Sequence, residues 1–361
     1  MTHPRLSWFV VLLVLLWGHA HAHHPILTAD LPTATGAYGE TAFLDVNENN
    51  QILARDLTPA APRTLVVTDL YAPTQRTQVI VCPDGSETFG EAINRRGDVA
   101  GYCNGQAFLS IRGQQVHTRT VDGASATYGM GVNDQRQVVG FYEQGGVFHG
   151  FRWAGASVTT LDVPFPEATA TFPTAINRRG DVVGYYQDNV PIPDTLPSHT
   201  HGFRCRNTQC ERLDVPLPDV WSTVLLDITD QGVILGWVQT ATQFAQVMYY
   251  QGQWYYAKFS APSFVTTLFF GLNNRLQVAG HHTMYDEVNT TDPFYDYGVL
   301  SLFNPAEAQT VVPTTTLQSA DVRQALVGDQ SQGHAAWCQT VTRLGGPTGV
   351  KGLGALCGQV R

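Results

Sequence analysis

A nine-residue phrase that returns seven times constrains this 361-residue chain more than anything else in it. The copies read VNENNQILA (46–54), INRRGDVAG (93–101), VNDQRQVVG (132–140), INRRGDVVG (176–184), ITDQGVILG (228–236), LNNRLQVAG (272–280) and ADVRQALVG (320–328). Their second positions are 47, 94, 133, 177, 229, 273 and 321, at spacings of 47, 39, 44, 52, 44 and 48 residues. The last copy is degenerate and is identified by its place in the series. A period of this length marks a repeat architecture, in which each unit buries its apolar face against the next.

The phrase has the chemistry of a β-hairpin. Asn or Asp at the first turn position bonds its own backbone, and Gly three residues later accepts the left-handed conformation. Asn50 takes the Gly place in the first copy, which that geometry tolerates. Arg136 and Leu276 take it in the third and sixth, where the turn is expected to differ or to be strained. After the turn, DVVGYY alternates as a strand does. A Gly recurs within it at 101, 140, 184, 236, 280 and 328, which implies close approach by another backbone. A third strand reads HGFRW (149–153), HGFRC (201–205) or HAAWC (334–338), and a fourth TTLDVP (159–164) or ERLDVP (211–216). Four short strands per unit predict an all-β fold, a seven-bladed β-propeller of four-stranded blades. The last unit lacks a well-written fourth strand. The segment ILTADLP (26–32) resembles TTLDVPFP, so the N-terminal strand is expected to close the last blade. An open solenoid is the alternative, and it needs capping units that are not found.

These residues resemble a predicted extracellular repeat family named for a His-Ala-Phe (HAF) motif. Its repeat runs as an Ile-Asn-x-x-Gly-x-Val-Val-Gly hairpin, then His-Ala-Phe-x-Trp, then a Leu-Gly stretch. Here His149-Gly150-Phe151 with Trp153, His201-Gly202-Phe203 and His334-Ala335-Ala336 match the middle element. Leu-Asp-Val at 161–163 and 213–215 stands where the family has Leu-Gly, and units one, five and six lack the His. The resemblance implies export and a β-repeat fold, and no activity.

Export is also the reading of the first 22 residues. Arg5 precedes an apolar stretch from Trp8 to Trp17, followed by Ala20-His21-Ala22 as a cleavage site, with mature chain from His23. Ten apolar residues are too few to span a bilayer. The expected organisation is therefore a leader over 1–22 and one propeller domain over 23–361, secreted to a periplasm or beyond the cell. An even count of six cysteines fits disulfides in such a chain. Cys205 and Cys210 flank a four-residue turn, where facing strand residues come within bridging reach; the pairs Cys82–Cys103 and Cys338–Cys357 follow from chain order.

Net charge is −9 and the only lysines are Lys258 and Lys351, so no basic cluster invites nucleic acid or an anionic membrane. No GxSxG, HExxH or P-loop is present, so no catalytic residue, cofactor or metal is assigned. The repeat histidines are read as serving the repeat, stacked blade on blade. The two Arg-Gly-Asp tripeptides, 96–98 and 179–181, fall in repeat turns and are read as turn chemistry. What remains is asymmetry between rims. The connections opposite the Asn hairpins carry the insertions 187–200 and 281–297. Binding resides on loops that a rigid scaffold holds. The candidate ligand-binding residues are Asp188, His199, Trp221, His281, His282, Tyr285 and Asp286. The leading expectation is a monomeric binding module for an extracellular glycan or protein. The alternatives are a hydrolase or lyase with an acid and base on the same rim, and a structural surface or matrix protein.

Overall fold

The computed structural model describes residues 27–29, 41–56, 63–68, 77–190, 199–207, 209–241, 244–257, 266–285, 294–303, 305, 308–311, 336–341 and 354–359. Residues 27–29, 266, 282–285, 294–297, 309–310, 336–341 and 354–359 are described by backbone alone. The expected leader, the hairpin near 321 and Asp286 lie outside these residues.

Four sheets have four strands each, and a nine-stranded sheet resolves into two more four-stranded units and an edge strand. Those two units touch through a single parallel bridge, Thr200 with Ser222. Every unit opens with an inner strand: Thr41–Val46, Phe89–Ile93, Ala126–Val132, Ala170–Ile176, Val220–Ile228 and Thr266–Leu272. Each inner strand runs through its hairpin into the second strand of its own antiparallel ladder.

The hairpin Asn does two jobs. Its Oδ1 accepts from backbone within the turn; Asn47, for example, takes the N–H groups of Asn49 and Gln51 at 3.0 Å each. Its Nδ2 donates to a backbone carbonyl of the neighbouring hairpin. Asn47 donates to Asn94 at 2.9 Å, Asn94 to Asn133 at 2.9 Å, Asn133 to Asn177 at 3.2 Å and Asn177 to Thr229 at 3.1 Å. Asn273 then donates to Asn47 at 3.1 Å, which closes the ring. Thr229 has no amide to give, and there Asn274 Oδ1 accepts from Asp230 N–H at 2.7 Å instead. The described blades therefore form a closed β-propeller of six, where the repeat count led to seven. The sixth hairpin bonds the first directly, which leaves no place between them for another blade.

The N-terminal strand does complete a blade, but that of unit six. Leu27–Ala29 runs antiparallel to Phe294–Leu302 as its fourth strand. Of the C-terminal region, Gln309–Thr310 extends the outer edge of blade five, and Ala336–Val341 pairs with Gly354–Gln359.

The strained turns are the same turn. Gly97, Gly180 and Gly232 have φ of 80°, 86° and 83°, and Asn50, Arg136 and Leu276 have 57°, 62° and 63°. A left-handed non-Gly residue costs about 1–2 kcal/mol. At Arg136 an ion pair from Nε to Asp98 Oδ2, at 2.9 Å, offsets part of it. At Leu276 the carbonyl accepts from Phe303 N–H at 2.8 Å. The recurring strand glycine allows close backbone approach, as expected: a Cβ at Gly140 would collide with the Tyr128 carbonyl of its own inner strand.

Blades adhere through apolar side chains. Phe108, Phe151 and Phe203, one from each third strand of units two to four, are fully buried. Leu53, Val66 and Ile80 of blade one pack with Ile93, Val99 and Phe108 of blade two. Between first and second strands runs an aromatic belt, Phe89–Tyr102–Tyr128–Phe141–Phe172–Tyr185, with successive ring centroids 4.8 to 5.1 Å apart. Edge-on and offset ring pairs add about 0.5–1.5 kcal/mol each beyond area burial. Cys82–Cys103 ties the exit of blade one to the second strand of blade two, and Cys205–Cys210 spans the outer hairpin of blade four. Cys338 and Cys357 lie opposite each other in register, with side chains outside those described.

Candidate functional site

On the rim opposite the Asn hairpins, the HGF and LDV segments meet. In blade three His149 Nδ1 lies 2.8 Å from Asp162 Oδ2, while Asp162 Oδ1 accepts from Gly150 N–H at 2.9 Å. Blade four repeats the arrangement: His201 Nδ1 to Asp214 Oδ2 is 2.9 Å, and Gly202 N–H to Asp214 Oδ1 is 2.9 Å. The His therefore serves its own blade, by tying the third strand to the exit of the fourth. It does not stack on the next blade, because its partner Asp lies 13 residues on in the same unit.

Blade four adds what blade three lacks. Asp188, the second residue of the insertion, places Oδ2 3.1 Å from His201 Nε2, and its Oδ1 accepts from Val190 N–H at 3.0 Å. Carboxylates only accept, so filling both contacts requires both ring nitrogens of His201 to carry protons. Burial by itself disfavours that charge; the hydrogen bonds and charges of Asp214 and Asp188 outweigh it, and the imidazole is held above its ordinary value. Arg212 Nε donates to Asp214 Oδ2 at 2.6 Å. Around this core stand His199, 3.9 Å from Asp188 Oδ1, and Tyr186, whose hydroxyl donates to Glu167 at 3.0 Å. Tyr186 also packs its ring on His201 with centroids 5.1 Å apart.

The Thr200–Ser222 bridge brings half-buried Trp221 to the same edge. Two of the sequence candidates, Asp188 and His199, thus gather beside His201, and Trp221 adjoins the bridge between blades four and five. His281, His282 and Tyr285 belong to blade six. His281 is buried at 5% exposure, against the Phe270 ring at 5.3 Å. His282 and Tyr285 lie in the strand Gln277–Tyr285, with side chains outside those described. Sequence reasoning missed His201, Arg212, Asp214, Tyr186 and Glu167. The repeated thirteen-residue step from His to Asp was the available signal.

Both Arg-Gly-Asp tripeptides are committed to the ring. Asp98 is fully buried and accepts from Asn94 Nδ2 at 3.2 Å, and Asp181 accepts from Asn177 Nδ2 at 3.2 Å. Among the described residues no group of three or more His, Cys, Asp or Glu is arranged to hold a metal ion. No described helix is long and apolar enough to cross a membrane.

The chain matches no protein-family model and no curated protein sequence. Among solved structures it is similar to the β-propeller domain of the Trilobed protease from Pyrococcus furiosus. That match has 8% identity over 74% of this chain and 82% of the other, with a TM-score of 0.43. It is also similar to Aleuria aurantia lectin in complex with α-methyl-L-fucoside, at 9% identity over 64% and 84% with a TM-score of 0.36. Trypanosoma rangeli sialidase aligns at 12% identity over 78% of this chain and 58% of that one, with a TM-score of 0.42. The propeller assignment rests on the closed ring of blades, not on these likenesses.

Proposed function

We propose that this chain is an exported β-propeller, with a leader over 1–22 and a single propeller domain over 23–361. It acts as a binding module for an extracellular glycan or protein through the rim that carries the insertions 187–200 and 281–297. The observation that supports this reading is the Asp188–His201 contact. It anchors an insertion to the repeat's own His–Asp pair and so holds a polar, aromatic-flanked edge on a rigid scaffold. His201 and Arg212 face Asp188 and Asp214 in this core, with His199 and Trp221 on the same edge to meet hydroxyl or amide groups. A hydrolase or lyase on the same rim is less well supported. Both nitrogens of His201 already face carboxylates, so neither is left to exchange a proton with a substrate.

The test is a thermal-shift screen of the exported chain against soluble oligosaccharides, since a ligand of the native state raises its melting temperature by mass action. The reading expects a hit that Asp188→Asn and Trp221→Ala each abolish while circular dichroism stays unchanged. A hit that survives both substitutions would place binding elsewhere.

A further inference from the structure

The hairpin end of the propeller axis holds a second arrangement, independent of the rim. Each inner strand shifts register two residues before its hairpin Asn or Thr, at Asp45, Ala92, Gly131, Ala175, Asp227 and Gly271. The following residues, Val46, Ile93, Val132, Ile176, Ile228 and Leu272, line a cavity of about 80 Å³ on the axis.

Four of their backbone N–H groups are taken in pairs by two carboxylates. Asp45 accepts from Val46 at 2.7 Å and from Ile93 of the next blade at 2.8 Å. Asp227 accepts from Ile228 at 2.7 Å and from Leu272 of the next blade at 2.6 Å. Blades one and five each supply an Asp in this way. By the same alternation blade three should supply one, to join Val132 and Ile176, but that position is Gly131. No side chain among the described residues accepts from those two N–H groups. A side chain at 131 has no room, because its Cβ would fall 2.7 Å from Ala175 Cα and 3.1 Å from Ile176 N.

We propose that the N–H groups of Val132 and Ile176 bind the carboxylate of a small monocarboxylic acid that enters the axial cavity past the hairpins, in the manner in which Asp45 and Asp227 bind the other two pairs. A carboxylate that takes both N–H groups makes charge-assisted hydrogen bonds, which are shorter and stronger than those a water in the cavity accepts. The cavity takes a group of a few heavy atoms; a water occupies roughly 30 Å³ of liquid.

The charged groups lining the cavity are Asp45, Asp227, Glu48, Asp134, Asp230, Arg95 and Arg178. Burial, and then the charge of Asp227, hold the Asp45 carboxyl well above the usual carboxylate range. Burial pushes Asp227 up to about 7, against the opposing N–H bonds. Below that pH Asp227 loses its charge, which lowers the repulsion an anion meets from the lining carboxylates, and Arg95 and Arg178 at the hairpins attract it. A metal cation is disfavoured, since it would compete with four N–H groups for the same oxygens.

The experiment is an amide NMR titration of the full propeller with sodium acetate, at pH about 6 and about 8, either side of the Asp227 value. The expected result is a saturable downfield shift at Val132 and Ile176 that is the largest among the six axial amides. Apparent affinity should fall by up to roughly tenfold per pH unit above neutrality, as one linked proton requires. A folded Gly131→Ala chain should lose the response. If that variant does not fold, the titration of the unaltered chain decides alone. No saturable shift at Val132 and Ile176, or an equal shift at Val46, Ile93, Ile228 and Leu272, overturns the proposal.

Discussion

Asn273 donates its side-chain amide to the backbone carbonyl of Asn47 at 3.1 Å, across 226 residues of chain. The bond repeats, between the last and first described blades, what neighbouring hairpins do along the sequence. It makes the ring a closed series of equivalent contacts, broken only where Thr229 stands in place of Asn.

That series carries a prediction of stability. The Asn94 side chain makes four bonds, to Arg96 N–H, Asp98 N–H, the Asn133 carbonyl and Asp98 Oδ2. Asn94→Ala should cost roughly 2–4 kcal/mol in urea unfolding, because it leaves buried partners unmatched. Thr229→Asn should instead stabilise by about 0.5–1.5 kcal/mol by supplying the missing amide. A loss on Thr229→Asn would show that blade five cannot host the clamp.

Asp227 sets a pH dependence. Its folded value, about 7, lies above the ordinary carboxylate value of 3.8. Stability from this group is therefore full below pH about 4 and is lost as pH rises towards 7. Asp227→Asn does not titrate. The melting temperature of the variant minus that of the parent chain should climb between pH about 4 and about 7 and level off above. A flat difference would show that the carboxyl ionises normally.

At the rim, Asp188→Asn removes one of the two carboxylates that favour imidazolium at His201. Its titration midpoint, followed by NMR of the ring, should fall. Stability from His201 is present below its unfolded value and is lost as pH rises through the folded one. The variant should therefore lose more stability at mildly acidic pH than at alkaline pH. Equal losses at both would make Asp188 a packing residue only.

The disulfides differ in the loop they close, with sequence separations of 21 and 5. In the chain-entropy account, Cys82→Ser with Cys103→Ser should cost roughly 3 kcal/mol. The pair at Cys205 and Cys210 should cost about 1 kcal/mol less. Calorimetry of the two double variants checks the order, and reversal would point to native-state contacts as the larger effect.

The hairpins, the four-strand unit and two disulfides were legible in the sequence because each depends on local chemistry; that the N-terminal segment closes a blade was legible from its likeness to TTLDVPFP, but which blade it closes was not. Asn-x-x-Gly is a turn wherever it occurs, and a strand glycine answers to its own partner strand. The number of blades in the ring was not legible. Counting phrases counts turns, and only the 226-residue contact from Asn273 to Asn47 shows which turns share a ring. The rim was half legible. Asp188 and His199 were picked out as insertion residues and Trp221 as part of a link on the same rim, but His201 was set aside because the repeat writes it. The added carboxylate on Nε2 comes from outside the repeat, and only folding brings it there. His281 was chosen for its loop, yet it occupies a buried position beside Phe270.

The most direct measurement is a cross-link between the sixth hairpin and the first. Asn274 donates its side-chain amide to Glu48 Oε1, beside the Asn273–Asn47 bond. A chain carrying Glu48→Cys and Asn274→Cys should be joined by a short bifunctional thiol reagent and yield the linked peptide in mass spectrometry. The closed six-blade ring predicts that product in high yield from native protein and its loss in denaturant. Native protein that gives no such link, while each single cysteine reacts freely, would mean that another blade stands between the two hairpins.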